Sequence, residues 1–333
     1  MTDKERPSIF LSIIVPVFNG EKTLDKCLEA ITKIKDFEKC ELIVANDASV
    51  DTSVLIAKKH GVKVVSNPVN KGVAATRNLG AKNAKGEILL FVDSDIVLSS
   101  RDIIKHIKDD FKSFDVCGVS GVYDERIVFS DFFSTYKHLY MCLGKKIASK
   151  FNFAADSAIL AIPREMFFKA NGFNENYLGA TAEDIEFTLR LSLNENKKIL
   201  QDNRIKGEHH KKHNLKSLLR TNCLRIGSIV RIIQEKELRK TYLNMSKSSS
   251  GKSLYPIILA SIFLILSFIY WFFIFGFLFS VLMFFWVQTE FFKYFKRRKG
   301  VFFAVLSVLF SAIEMFFAAV CGLYFQIYFK IKN

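Results

Sequence analysis

Short apolar runs alternate with amphipathic stretches from Phe10 to Leu98. FLSIIVPVF, CELIVAND, VKVVSN and EILLFVDSD each hold a block of Val, Ile, Leu or Phe bounded by turn residues, the pattern of buried strands. Between them, EKTLDKCLEAITKI places Leu24, Leu28 and Ile31 on one helical face, DTSVLIAKKHG closes on Gly61, and GVAATRNLGAKNAKG ends near Gly86. Each of these reads as a helix. The alternation predicts an α/β domain with a mostly parallel sheet covered by helices on both faces, with ligands gathered at the carboxyl ends of the strands. From Arg101 to Asn203 the pattern is less regular. Strands are expected at Val116–Tyr123 and Ala158–Ile162, and a helix from Glu183 carries Ile185, Leu189 and Leu193 on one face and stops at Asn196.

The later chain is patterned differently. Leu215 to Ile233 is a basic amphipathic helix: Leu218, Leu219, Ile226, Ile229 and Val230 share a stripe, and Lys216, Arg220, Arg225 and Arg231 lie largely off it. It either packs on the domain or lies at a membrane interface, and the second is expected. A polar linker, Met245–Ser253, precedes the uncharged run Leu254–Val287. A spanning helix needs about 20 residues, so this run suits two spans with a tight turn near Gly276. Two crossings also return the cluster Lys293–Lys299 to the cytoplasmic side, as positive charge prefers. Val301–Phe329 is a third apolar helix, spanning or interfacial, with Glu314 inside it. The expected partition is therefore 1–203 catalytic, 204–253 basic and interfacial, and 254–333 membrane-embedded, with helices at about 254–273, 275–290 and 301–329. A multi-pass inner-membrane protein with its first part in the cytoplasm is expected.

Charge sharpens that picture. The net charge is +15, and Arg204–Lys252 alone holds 13 Lys/Arg against 3 Asp/Glu, a net of +10. Such a patch could meet nucleic acid, but the apolar segment directly after it favours anionic membrane lipids, and no nucleic-acid partner is expected. Six scattered cysteines without CxxC spacing fit reduced thiols. MTDKERPSIF is polar and leads straight into a strand, without a secretory pattern.

The candidate chemistry centres on FVDSDIVL. A core strand ends in Asp93 and Asp95, two carboxylates that would face one spot and repel unless something positive sits between them. A hard divalent cation with oxygen ligands is the natural candidate; taken alone, Asp-Ser-Asp reads equally as a turn that caps a following helix. Asn46-Asp47 ends another strand at the same edge. The chain has no GxGxxG after its first strand, no GxxxxGK[ST] and no GxSxG, which argues against dinucleotide, P-loop and hydrolase-elbow chemistry.

Four segments, in this order, resemble the inverting family 2 glycosyltransferases of the GT-A fold: SIIVPVFNGEKTLDKCLEAI, ELIVANDASVDTS, NKGVAATRNLGAKNAKGEILLFVDSD and NGFNENYLGATAEDIEFTLRL. The resemblance covers about residues 9–215. It implies a nucleotide-sugar-binding domain, a nucleotide-diphosphate sugar donor (UDP-linked on family grounds) and a divalent metal, Mn2+ or Mg2+. Asp93 and Asp95 match the DxD motif, with Asp95 on the metal and Asp93 shared between metal and ribose. Asp47 matches the acid that accepts from a nucleobase, or else makes an Asx turn with Ser49. Pro16, Phe18 and Asn19 would line the base pocket. Arg77 matches an arginine facing the nucleotide, or else makes a helix-surface salt bridge. Glu183-Asp184 matches the ED motif, with Asp184 as the base that deprotonates an acceptor hydroxyl; an acceptor phosphate, already ionised, would only be positioned. Both acids also suit the first turn of any helix. His209, with His210 close behind, matches a histidine that contacts the metal or diphosphate, or else is solvated. No QxxRW-like motif follows, which implies transfer of one sugar to a lipid-linked or membrane-proximal acceptor. A polyprenyl phosphate acceptor and a non-catalytic scaffold on the same fold are the alternatives.

Overall fold

The computed structural model describes residues 10–177, 181–246 and 273–332. The chain divides into two compact units, Met1–His213 and Asn214–Asn333.

In the first unit, β1 (Leu11–Val17) lies between β2 (Cys40–Asn46) and β4 (Ile88–Val92), parallel to both, and β3 (Lys63–Ser66) extends the parallel part beyond β2. The sheet continues from β4 through β8 (Ile159–Pro163), β6 (Val116–Tyr123) and β9 (Lys198–His209) to β5 (Ile96–Leu98), while β7 (Phe151–Asn152) pairs with β9 off this path. β8 runs antiparallel to both β4 and β6, and β5 antiparallel to β9. The sheet is mostly parallel, as expected: β1, β2, β3, β4, β6 and β9 run one way, and β5, β7 and β8 run the other. It also curls. Three residues join β4 to β5, a reach of at most about 14 Å. A flat sheet would put those strands four spacings apart, about 19 Å. The β9–β5 edge must therefore fold back over the end of β4.

Strand alternation divides the apolar residues between two layers. Leu11, Ile13, Val15 and Val17 pack with helices α1 (Leu24–Thr32) and α4 (Ile103–Ser113) on one face. Ile14, Ile43, Phe91 and Leu160 pack on the other with α3 (Val73–Lys82), α6 (Arg164–Lys169) and α7 (Glu183–Glu195). α2 (Ser53–Lys59) is followed by Gly61 at φ 66°, and α7 stops on Asn196 at φ 50°, both as expected. α5 (Phe132–Ile147) has no counterpart in the sequence expectations. The expected catalytic boundary at residue 203 falls inside β9, whose buried Ile199, Leu200 and Ile205 tie it to the sheet.

In the second unit, α8 (Leu215–Gln234) begins with a capping box in which Asn214 and Ser217 satisfy each other's backbone N–H groups. α9 (Lys236–Ser246) follows. The first expected hydrophobic helix, 254–273, and most of the polar linker lie outside the described residues. The next helix, α10 (Phe273–Val287), contains Gly276 within it, and Ser280 Oγ donates to the Gly276 carbonyl at 2.8 Å. The turn expected there is thus a correction: a lone glycine in a run of strongly apolar residues is tolerated in a helix. α11 (Thr289–Lys332) is broken at Gly300, whose φ of 85° no L-residue adopts readily. Among the described residues one helix, Thr289–Ile331, is long and apolar enough to cross a membrane.

Candidate active site

The parallel strands β1, β2, β3 and β4 end along one edge, and the loops after them carry most of the candidate residues. Asp93, Ser94 and Asp95 form the turn from β4 into β5, closed by Ile96 N–H donating to the Asp93 carbonyl at 2.9 Å. The two acids therefore flank a turn rather than extend a strand, and a three-residue strand, β5, not a helix, comes next. Pairing of Ile96 with His209 brings the end of β9 beside Asp95. His209 Nε2 lies 3.7 Å from Asp95 Oδ1, and Lys211 Nζ lies 3.8 Å from Asp95 Oδ2. Both separations exceed hydrogen-bond length and leave room for a shared ligand.

The charges here are set by burial first. Desolvation pushes the Asp93 and Asp95 carboxyls above their ordinary values; Arg77 pulls Asp93 back and Lys211 pulls Asp95 back. Burial pushes His209 down to about 3, so its imidazole is neutral near neutral pH. Its Nδ1 is buried without a hydrogen-bond partner. The ring meets Tyr123 edge-on at 5.8 Å and stacks on His213 at 6.0 Å. His210 instead turns to Glu208, Nε2 to Oε2 at 3.1 Å.

Arg77 occupies a different place from the one expected. It is 2% exposed, with Nη2 donating to Asp93 Oδ1 and Nη1 to Glu183 Oε1, each at 2.8 Å. Its guanidinium lies 5.3 Å from the centre of the Phe173 ring. It is neither a nucleotide-facing group nor a surface ion pair. It is a buried bridge that fixes the β4–β5 turn against the start of α7. Glu183 is correspondingly a positioning group: its other oxygen accepts from Thr181 N–H at 2.8 Å. Asp184, half-buried, accepts from Ser157 N–H through Oδ2 at 3.2 Å and from Ile185 N–H through Oδ1 at 2.8 Å. Tyr123, at the end of β6, sits in the field of Asp156, Asp93, Asp95 and Asp184, and burial with those charges holds its phenol well above its usual value. Tyr123 thus touches His209 and feels the charges of Asp93, Asp95 and Asp184.

Asp47 also departs from expectation. It is 3% exposed, and its carboxylate accepts from Asn67 Nδ2, Lys71 N–H and Gly72 N–H, each at 2.9 Å. Those bonds hold the β3–α3 loop and leave it no open edge for a base. The Asx turn to Ser49 is made by its neighbour, Asn46, at 3.0 Å. Asn19, at φ 50°, locks onto the next loop: its N–H donates to Ser49 Oγ and its Oδ1 accepts from Val50 N–H, both at 3.0 Å. Pro16 is buried in β1, beyond the last residue paired with β4, where a missing N–H costs nothing. Phe18 and Asn19 are both exposed, and Phe18 alone of this group presents an exposed apolar side chain. Val50 and Val69, on the two neighbouring loops, are exposed as well. This apolar trio was missed, although a valine inside ASVDTS and another inside NPVNKG are out of place in polar turns. Lys145, paired with Asp156 at 2.9 Å and lying 5.9 Å from the Tyr123 ring centre, had no sequence signal at all.

Residues 12–155 match the model of glycosyl transferase family 2. Over that stretch, less than half of its length, the chain is similar to this family. The match starts in β1, takes in the β4–β5 turn and ends just before β8. Among curated relatives, an uncharacterized glycosyltransferase of Haemophilus influenzae is 33% identical over 102 residues, covering 29% of this chain and 40% of that protein. The poly(ribitol-phosphate) beta-glucosyltransferase of Bacillus spizizenii is 35% identical over 102 residues, 28% of this chain and 16% of its own length. The aligned regions thus span well under half of these relatives. Among solved structures, a mannosyltransferase from Pyrobaculum calidifontis, in complex with GDP-Man and Mn2+, superposes over 96% of this chain and 88% of its own, with TM-score 0.59 at 15% identity. Residues 1–349 of TarS from S. aureus superpose over 74% of each chain, with TM-score 0.50 at 21% identity. The fold is that of the GT-A glycosyltransferases.

Proposed function

We propose that the protein is a membrane-bound inverting glycosyltransferase that moves one sugar from a nucleotide-diphosphate donor, UDP-linked, to a lipid-linked or membrane-proximal acceptor of the cell envelope. The observation that carries this reading is the β4–β5 turn, where Asp93 and Asp95 stand beside a neutral His209 at the carboxyl edge of the sheet. Among the described residues no three His, Cys, Asp or Glu side chains form a ready cage for a metal ion. An ion such as Mg2+ needs only one or two carboxylates when substrate phosphates complete its shell. Asp95 and the neutral Nε2 of His209 would hold it, with Asp93 nearby. When bound, such an ion neutralises the charge that grows on a departing diphosphate.

The chain's own residues supply the rest. Arg77 fixes Asp93. Lys211, more than half exposed, offers a second positive charge to a diphosphate. Phe18, Val50 and Val69 offer apolar surface against which a base can stack. Asp184 takes the proton from the acceptor hydroxyl as it attacks the anomeric carbon, and Ser157 N–H holds that carboxylate in place. The apolar C-terminal segments keep this site at the bilayer, with the catalytic unit on the cytoplasmic face of a multi-pass inner-membrane protein. The name of one relative, a poly(ribitol-phosphate) beta-glucosyltransferase, supports the envelope role, and the GDP-Man and Mn2+ bound by a solved neighbour support the donor class and the metal.

The test is a transfer assay in which labelled nucleotide sugars meet membrane lipid extract and the full-length protein. Wild type should yield labelled lipid, and Asp184→Asn should lower the turnover by about 10²- to 10⁴-fold while still binding the nucleotide. A wild-type turnover in Asp184→Asn would exclude it as the base.

A further inference from the structure

The second unit contains a contradiction between what α11 is made of and what it packs against. Beyond Gly300 the helix is long and apolar enough to span. Yet Asn222 of α8 donates from Nδ2 to Glu314 Oε1 at 2.6 Å, close to the middle of that stretch. Farther along, Ile226 lies 3.7 Å from the point where a Cβ at Gly322 would stand. The Phe325 ring comes within 2.8 Å of the corresponding point at Gly227. The Cys223 and Cys321 thiols approach within hydrogen-bonding reach of each other. The two helices therefore run in the same direction, with the middle of α8 against the second half of α11.

α8 is not a helix that a bilayer interior accepts. Lys216, Arg220 and Arg225 are exposed along it, and Arg231 follows. If α11 crossed the membrane, the stretch Arg220–Arg225 would be carried to the depth of Glu314, near the bilayer centre, with cations among the most unfavourable residues there. The surface of α11 points the same way. At 100° per residue, its exposed apolar side chains, Phe302, Leu309, Phe316, Val320 and Leu323 among them, occupy one half of the helix. Ser307, Ser311, Glu314 and Gly322 occupy the other, together with the buried Ala304, Val308 and Cys321. A helix with one apolar half exposed and the other covered in part by a cationic helix suits an element lying in an interface. Gly300 breaks the helix where the run Lys293–Lys299 ends, so that run can meet headgroups while the following stretch turns along the surface.

We propose that α11 beyond Gly300 lies in the plane of an anionic bilayer surface, its apolar half in the acyl boundary and α8 alongside it, rather than crossing. This rests on the membrane-bound reading above. It places Lys330 on the same side of the membrane as Lys299, however often the chain crosses upstream.

Two measurements test it on the full-length protein in sealed vesicles. In a background with all six cysteines replaced by serine, Lys299→Cys and Lys330→Cys are labelled with a membrane-impermeant maleimide. Both should react in the same vesicle orientation; reaction from opposite faces would overturn the proposal and leave membrane binding intact. Release of the whole chain by high salt would instead sink the membrane reading itself. In the native chain, membrane-permeant diamide should join Cys223 to Cys321. The two thiols give up two protons and two electrons to diamide, which becomes the hydrazine, and an S–S bond forms. Diamide should remove two maleimide-reactive thiols from wild type and none from Cys321→Ser. If Cys223 and Cys321 stay free in wild type, α8 does not lie on α11 and the proposal fails.

Discussion

At the residue scale, the site is organised by an arginine whose partners come from far along the chain. Arg77 and Asp93 are 16 residues apart, but Glu183 is 106 residues away. The sequence marks all three as important and cannot show that they bind one another. The same holds for Asp47, whose partners Lys71 and Gly72 follow 24 and 25 residues later. In both cases a carboxylate or cation that looks ready for ligand spends its hydrogen bonds on the protein. Arg77→Met should therefore destabilise the fold itself, leaving Glu183 buried and unpaired, by about 3–5 kcal/mol. Denaturant unfolding of the ligand-free protein measures this; an unchanged midpoint would return Arg77 to a purely ligand-facing role. Asp93 and Asp95 give a pH signature. Their raised values mean that the folded chain binds more protons than the unfolded chain between the ordinary and the raised carboxyl values. Their contribution to ligand-free stability is thus present at the acidic side and is lost as pH rises through the raised values. A bound metal must displace those protons, so its affinity should fall on acidification and proton release should grow. Titrating Mn2+ by calorimetry in two buffers of different ionisation enthalpy reads that release directly, and Asp95→Asn should diminish it.

At the scale of elements, legibility followed local pattern. The four strands and three helices up to β4 were evident because each apolar block is bounded by turn residues within a few positions. β9 was not, since KILQDNRIKGEH holds only Ile199, Leu200 and Ile205 as apolar anchors. Among its buried polar side chains, Gln201 is satisfied by a distant partner, donating to the Lys145 carbonyl at 2.8 Å. β5 is three residues long, too short to show a period, yet its pairing with β9 is what delivers His209 to Asp95. The placement of α3 depends on a close approach. A Cβ added at Gly80 would strike the Ile14 side chain and come within 3.3 Å of the Ala45 Cβ. Gly80→Ala should therefore lift α3 from the sheet at a cost of about 1–3 kcal/mol. Because Arg77 rides one turn earlier on the same helix, thermal stability and nucleotide affinity should fall together. A stable variant with unaltered affinity would show that the site tolerates that movement.

At the scale of the molecule, composition announced a basic, apolar C-terminal half but not its arrangement. The expected hairpin rested on length and charge, and the described part of it contains a helix through Gly276 where a turn was expected. What the sequence carried furthest was the order of motifs, which named the fold before any contact was known. The account depends most on one claim: that the turn between β4 and β5 binds a metal–diphosphate. Calorimetric titration of UDP into the full-length, detergent-purified protein, with and without Mn2+, tests it in wild type and in Asp95→Asn. Binding that requires Mn2+ and disappears in the variant is the expected result. Binding of equal strength without the metal, or in Asp95→Asn, would contradict it.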